Sequence, residues 1–279
     1  MEALTIRNLK KQYRDFSLKD ISFSLPMGSI MGFIGENGAG KSTTIKNILG
    51  LHLKDSGDVE LFGRKFTGRE NDLKELLGVA LDDSFFAPGI NGAQIEKALS
   101  SMYKQWDREK YYDYLQQFSL NPKKCIKDYS KGMRMKLSLA VALSHGAKIL
   151  ILDEVTSGLD PVVRSQVLDL FLDFIQDEEH SILISSHILS DLEKICDYIT
   201  FIHQGRIIFS ENKDELLESY CIVKGSAEQI RELEESAVIG LETNAFGTAA
   251  LVRADRVPEG MILEAATIED IMLMWKRGK

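Results

Sequence analysis

The chain has 279 residues, 44% hydrophobic and 27% charged, which suits a soluble globular protein with one substantial core, or one core plus a small appendage, and not a disordered chain. A net charge of −8 leaves no basic surplus to neutralise phosphates, so no nucleic-acid partner is expected. The three cysteines, Cys125, Cys196 and Cys221, are scattered without metal-ligand spacing and fit a reducing compartment; no signal peptide and no apolar run near the roughly 20 residues of a membrane span is visible.

Residues 1–80 alternate strand-like segments with turns: ALTIRNL, ISFSL, SIMGFIG, DVELFG and LLGVAL. One helix interrupts them, from near Lys41 through TTIKNILGL. Residues 85–146 become helical. Ile95, Leu99, Met102, Tyr103 and Trp106 recur at helical spacing behind the cap Asn91. Tyr111, Tyr114, Leu115 and Phe118 form a second stripe behind Asp107, and Met133, Leu137, Ala140 and Val141 a third behind Ser130. Strand and helix then alternate. KILILD precedes a helix with Val163, Val167, Leu170, Phe171 and Phe174 on one face, and SILISS precedes one carrying Ile188, Leu192 and Ile195. YITFIHQGRIIFS reads as a hairpin turning at Gln204–Gly205. This order indicates an α/β core with a helical insertion, assigned to 1–210, with the helical subdomain at about 85–146. From Glu211 to residue 279, the short strands YCIVKG, AALVRA and GMILEA around the acidic helix SAEQIRELEES suggest a small α+β appendage.

Gly35, Glu36, Asn37, Gly38, Ala39, Gly40, Lys41, Ser42 and Thr43 spell G-x-x-x-x-G-K-[ST] between an apolar strand and a helix. Gly35, Gly38 and Gly40 permit backbone conformations and close approach that a Cβ would block. Successive amides then converge on phosphate oxygens at a helix N-terminus carrying partial positive charge. Lys41 adds a full charge for the β- and γ-phosphates, and Ser42 offers a hydroxyl to Mg²⁺. Asp153 and Glu154 close four consecutive aliphatics, Ile149 to Leu152, where an unpaired carboxylate is unfavourable. A metal–nucleotide complex supplies the missing counter-charge: Asp153 would hold Mg²⁺ through its water shell, and Glu154 would polarise the attacking water.

Tyr13, the phosphate loop, YSKGM at 129–133, ILILDE at 149–154, SGLD at 157–160 and SSH ending at His187 follow one another in an order and spacing that resemble the nucleotide-binding domain of ATP-binding cassette (ABC) transporters over about residues 2–210. The resemblance implies a P-loop NTPase core with an antiparallel β subdomain and a helical insertion. It also implies ATP hydrolysis with Mg²⁺ and separate transmembrane permease subunits that would hold the chain at the cytoplasmic face of the membrane. Tyr13 would stack on adenine, although a buried strand aromatic reads the same way. Ser130, Lys131, Gly132 and Met133 stand at the signature that covers the ATP of an opposite subunit, and Ser130 also suits a plain helix cap. Asp160, ahead of Pro161, is a helix cap to which the resemblance adds a contact across the dimer. His187 would sense the γ-phosphate beside Glu154. A homodimer or a heterodimer with a related subunit would satisfy this scheme. Lys131 and Met133 replace the usual glycine and glutamine, Val155 replaces a proline, and Asp82 stands where a metal-binding glutamine is usual. Phe85, Phe86 and Ile90 would receive a permease segment or pack beneath the insertion. Members that export peptides, antibiotics or other amphipathic compounds carry similar motifs; a soluble non-transport ATPase or a regulatory ATP-binding module is the alternative.

Overall fold

The computed structural model describes residues 1–82, 86–234, 236–244, 247–258 and 261–277. The chain divides into two compact units, Met1–Ser210 and Glu211–Lys279.

The first unit begins with β1 (Glu2–Gln12) and β2 (Ser17–Pro26), which pair antiparallel. Ile21, Phe23 and Leu25 of β2 are buried at alternate positions, the period of a strand with one covered face, and Leu18 is buried beyond a register shift at positive-φ Asp20. β3 (Ile30–Ile34) leads into α1 (Lys41–Ile48). β4 (Ser56–Leu61), β5 (Arg64–Lys65), α2 (Asn71–Lys74) and β6 (Leu77–Ala80) follow. The insertion holds α3 (Gly92–Leu99), α4 (Arg108–Gln117) and α5 (Lys131–Ala142). β7 (Ile149–Asp153), α6 (Pro161–Phe174), β8 (Ser181–Ser185), α7 (Leu189–Ile195), β9 (Tyr198–His203) and β10 (Arg206–Asn212) complete the α/β alternation.

Two sheets result, β2-β1-β4-β5 and β10-β9-β3-β8-β7-β6. In the second, β9, β3, β8, β7 and β6 run parallel, and every residue of β3, β7 and β8 is buried. Such strands need apolar side chains on both faces, which is why ILIL and SILI read as continuous rather than alternating runs. β3 lies between β8 and β9, with β7 next to β8, so the ends of β3, β7 and β8 open side by side along one edge. Chain reversals of this kind leave a crevice at the carboxyl ends of parallel strands. The β9–β10 hairpin turns on Gln204 and Gly205, both at positive φ (45° and 72°). A Cβ on Gly205 would lie 1.9 Å from the Ser17 carbonyl oxygen, so only glycine fits there.

Asn91, Asp107 and Ser130 cap α3, α4 and α5 through their side chains. The first stripe is cut short, however: α3 stops at Leu99 and does not reach Trp106. The Ser100 and Ser101 hydroxyls turn back to the Lys97 and Ala98 carbonyls at 3.2 and 2.7 Å, competing with helical bonding. Met102 is 70% exposed, while Tyr103 and Trp106 pack on each other outside any helix. Phe85 lies outside the described residues; Phe86 and Ile90 are half-buried. In α5 the covered face is broader than the expected stripe, with Met135, Ser138, Leu139 and Ala142 buried beside Leu137 and Ala140.

The second unit contains more than three strands and one acidic helix. α8 (Lys213–Ser219), β11 (Tyr220–Gly225), α9 (Ala227–Arg231), β12 (Val238–Asn244), β13 (Gly247–Arg253), β14 (Ile262–Ala265) and α10 (Ile268–Arg277) give a sheet of order β12-β13-β11-β14. α8 went unread because Leu216 is its one buried side chain. α10 buries Ile268, Ile271 and Met274, a genuine helical stripe.

Candidate active site

The phosphate loop connects β3 to α1. Gly40 precedes α1 with φ 115°, and no side chain caps the helix there. A Cβ on Gly40 would meet both Phe16 and Leu18 at 2.8 Å, so glycine is required by packing as well as by backbone. The Ala39 amide donates to the Glu36 carbonyl at 3.1 Å, closing the loop on itself. Lys41 is buried, its Nζ donating to the Gly35 carbonyl at 2.7 Å and lying 3.8 Å from Glu154 Oε1. Burial pushes its ammonium below the ordinary lysine range, while Glu154, Asp153 and Glu36 pull it back up. A buried cation held only by loop carbonyls and carboxylates fits a polyanion as its partner.

The tandem acids leave β7 and meet β8. Asp153 pairs in register with Ser185, whose hydroxyl donates to Asp153 Oδ1 at 2.5 Å. Glu154 has φ 55°, a left-handed conformation that costs a non-glycine residue about 1–3 kcal/mol. Its amide donates to the Ser185 carbonyl at 3.1 Å, and its carboxylate accepts from the His187 amide at 3.3 Å. His187 Nδ1 lies 2.5 Å from the same oxygen, Oε2. The strand ends thus bring Lys41, Asp153, Glu154 and His187 to one place.

A cleft of about 720 Å³ opens there, lined by Glu36, Asn37, Gly38, Gly40, Lys41, Ser42, Thr43, Asp82, Lys131, Glu154 and His187, together with Asp15, Phe16 and Ser157. Asp153 is buried and does not line it. Ala39 lines an adjoining depression of about 420 Å³ that shares Asp15, Phe16, Glu36 and Gly38 with the cleft. Tyr13 lines neither; its hydroxyl is 2.9 Å from His52 Nδ1 and its ring meets the imidazole edge-on. Ser130 accepts from the Met133 amide at 3.2 Å as the cap of α5, and a Cβ on Gly132 would sit 3.3 Å from the Gly158 carbonyl. Asp160 is exposed and caps α6 by accepting from the Val163 amide at 3.1 Å. Asp82 forms an ion pair with Lys131 of the same chain.

Asp15 and Phe16 escaped the sequence reading, and Ser157 and Ser185, though inside the SGLD and SSH motifs, had no role assigned there. Phe16 was legible as a second aromatic three residues after Tyr13. Ser185 was legible as the small hydroxylic residue ending the neighbouring strand.

A phosphate loop on α1, tandem acids on β7 and a histidine beyond β8, gathered at one edge of a parallel sheet, define a P-loop nucleotide hydrolase. Residues 18–157 match the family model described as "ABC transporter". The chain is 34% identical over 225 residues to the lantibiotic transport ATP-binding protein SrtF of Streptococcus pyogenes, covering 77% of this chain and 96% of that one. It is 32% identical over 217 residues to the bacitracin transport ATP-binding protein BcrA of Enterococcus faecalis, covering 77% and 70%. Among solved structures, an ATP-binding subunit of an ABC transporter superposes with TM-score 0.69 at 25% identity, over 77% of this chain and 91% of that one. The chain belongs to the ABC transporter family, as an ATP-binding subunit that hydrolyses ATP and works with membrane permeases. Among the described residues no helix is long and apolar enough to cross a membrane.

Proposed function

We propose that this subunit powers export of an amphipathic peptide or peptide antibiotic through separate permeases, from the cytoplasmic face of the membrane. The convergence of Lys41, Glu154 and His187 in one cleft carries the ATPase reading. The likeness to SrtF and BcrA, named for lantibiotic and bacitracin transport, carries the cargo class.

In this reading the amides from Gly38 to Thr43 and the Lys41 ammonium bind the phosphates. The Glu154 carboxylate orients a water and takes its proton as the water oxygen attacks the γ-phosphorus; the bond to the β–γ bridging oxygen breaks and ADP leaves. His187, bonded to the same carboxylate oxygen, fixes the position of Glu154. The Ser42 hydroxyl and the Asp153 and Asp82 carboxylates are hard oxygen donors suited to Mg²⁺, which would neutralise triphosphate charge. Asp153 is held for that task by Ser185. Ser130, Gly132, Met133 and Asp160 lie outside the cleft of their own chain, which agrees with a role toward the nucleotide of a second copy or a related subunit.

Purification from detergent-solubilised membranes tests the cargo class. An integral membrane protein should accompany the subunit, and a cationic amphipathic peptide or bacitracin should raise the ATPase rate of the complex. A complex whose turnover ignores both would remove the peptide-export assignment.

A further inference from the structure

The two cleft positions at which the motifs depart from the family pattern, Asp82 and Lys131, are the two that meet. Asp82 lies just beyond β6, and Lys131 is the first residue of α5; their side chains form an ion pair. Each is poorly placed alone. A cation in the first turn of a helix opposes the helix dipole, and α5 has no acidic residue there to offset it. Asp82 adds a further carboxylate to a site already holding Asp15, Glu36, Asp153 and Glu154. Paired, each cancels the other's defect. The pair is also weak enough to break, since its side chains are 52% and 45% exposed. Both partners line the cleft that holds Lys41 and Glu154.

We propose that the Asp82–Lys131 pair is a nucleotide-opened latch between the end of β6 and the start of α5. This rests on the reading of the cleft as the Mg·ATP site. A magnesium ion is a stronger partner for the Asp82 carboxylate than a half-exposed ammonium, and a triphosphate is a stronger partner for Lys131 than one carboxylate. Mg·ATP therefore competes for both ends. Without nucleotide the signature helix is tethered to the sheet; with nucleotide it is released. The coupling between the two side chains depends on the occupancy of the cleft.

A double-mutant cycle read by thermal unfolding tests this. Asp82→Asn, Lys131→Met and the double variant are prepared in the Glu154→Gln background, and each is measured without nucleotide and with saturating Mg·ATP. Without nucleotide the effects should be non-additive by about 1–3 °C, the size expected for a half-exposed pair in a chain of this length. With Mg·ATP the coupling should vanish. Equal coupling in both states, or none in either, overturns the latch and leaves the nucleotide site intact, provided Mg·ATP itself raises the midpoint. Failure of Mg·ATP to raise it overturns the site and the latch together.

Discussion

At Lys41 two opposing effects meet. Burial disfavours the ammonium, and three carboxylates offset that only in part, leaving its pKa below the ordinary lysine range. Carboxylates satisfy its charge only loosely, the nearest lying 3.8 Å away, so the site favours a closer anion. The same scale separates two aromatics. Tyr13 is held at His52, whereas Phe16 packs on Gly40 and lines the cleft wall. Stacking of a base on an aromatic side chain is worth about 1–3 kcal/mol. Phe16→Ala should therefore weaken ATP affinity by about tenfold in a titration, with Tyr13→Ala changing it less than threefold. The reverse order would return the base to Tyr13. GENGAGKST was legible because every residue in it answers to one ligand; Phe16 showed only as a second aromatic near Tyr13, and its place at the cleft depends on the turn in which the Tyr13 amide donates to the Phe16 carbonyl at 2.8 Å.

Among the elements, boundaries were harder to read than identities. The strands β3, β7 and β8 announced themselves by unbroken apolar runs, and the caps Asn91, Asp107, Ser130 and Asp160 marked the starts of α3 to α6. The end of α3 escaped because serine hydroxyls, not a glycine or proline, terminate it. α2 escaped because it has four residues and one buried side chain, Leu73. Its entry is fixed instead by Glu70, whose carboxylate accepts from the Thr67 amide and hydroxyl at 2.8 and 2.7 Å and from the Arg69 amide at 3.1 Å. These bonds, the Thr67 amide foremost, hold its pKa at about 2 against an ordinary 4.5. Since the folded value is the lower one, the stabilisation is fully present above about pH 4.5 and is lost as pH falls toward 2. The urea midpoint of the wild type should fall more steeply through that window than that of Glu70→Gln. Parallel profiles would show that Glu70 contributes nothing to the acid limb.

For the whole molecule, all residues assigned to the site fall within Met1–Ser210. In the unit Glu211–Lys279, β11, β13, β14 and α9 were legible as YCIVKG, AALVRA, GMILEA and SAEQIRELEES, whereas α8, β12 and α10 were not. β12 escaped because VIGLETN carries a glycine and polar residues that break the strand alternation. The acidic net charge agrees with a chain that binds phosphate through one local cradle rather than a basic surface. The most direct measurement is nucleotide retention and turnover by Glu154→Gln with Mg²⁺ and ATP, with molecular mass read at the same time. It should hold unhydrolysed ATP, lose about 10²–10⁴-fold in turnover and run at the mass of two chains. Turnover at the wild-type rate, or no retained nucleotide, would contradict the account.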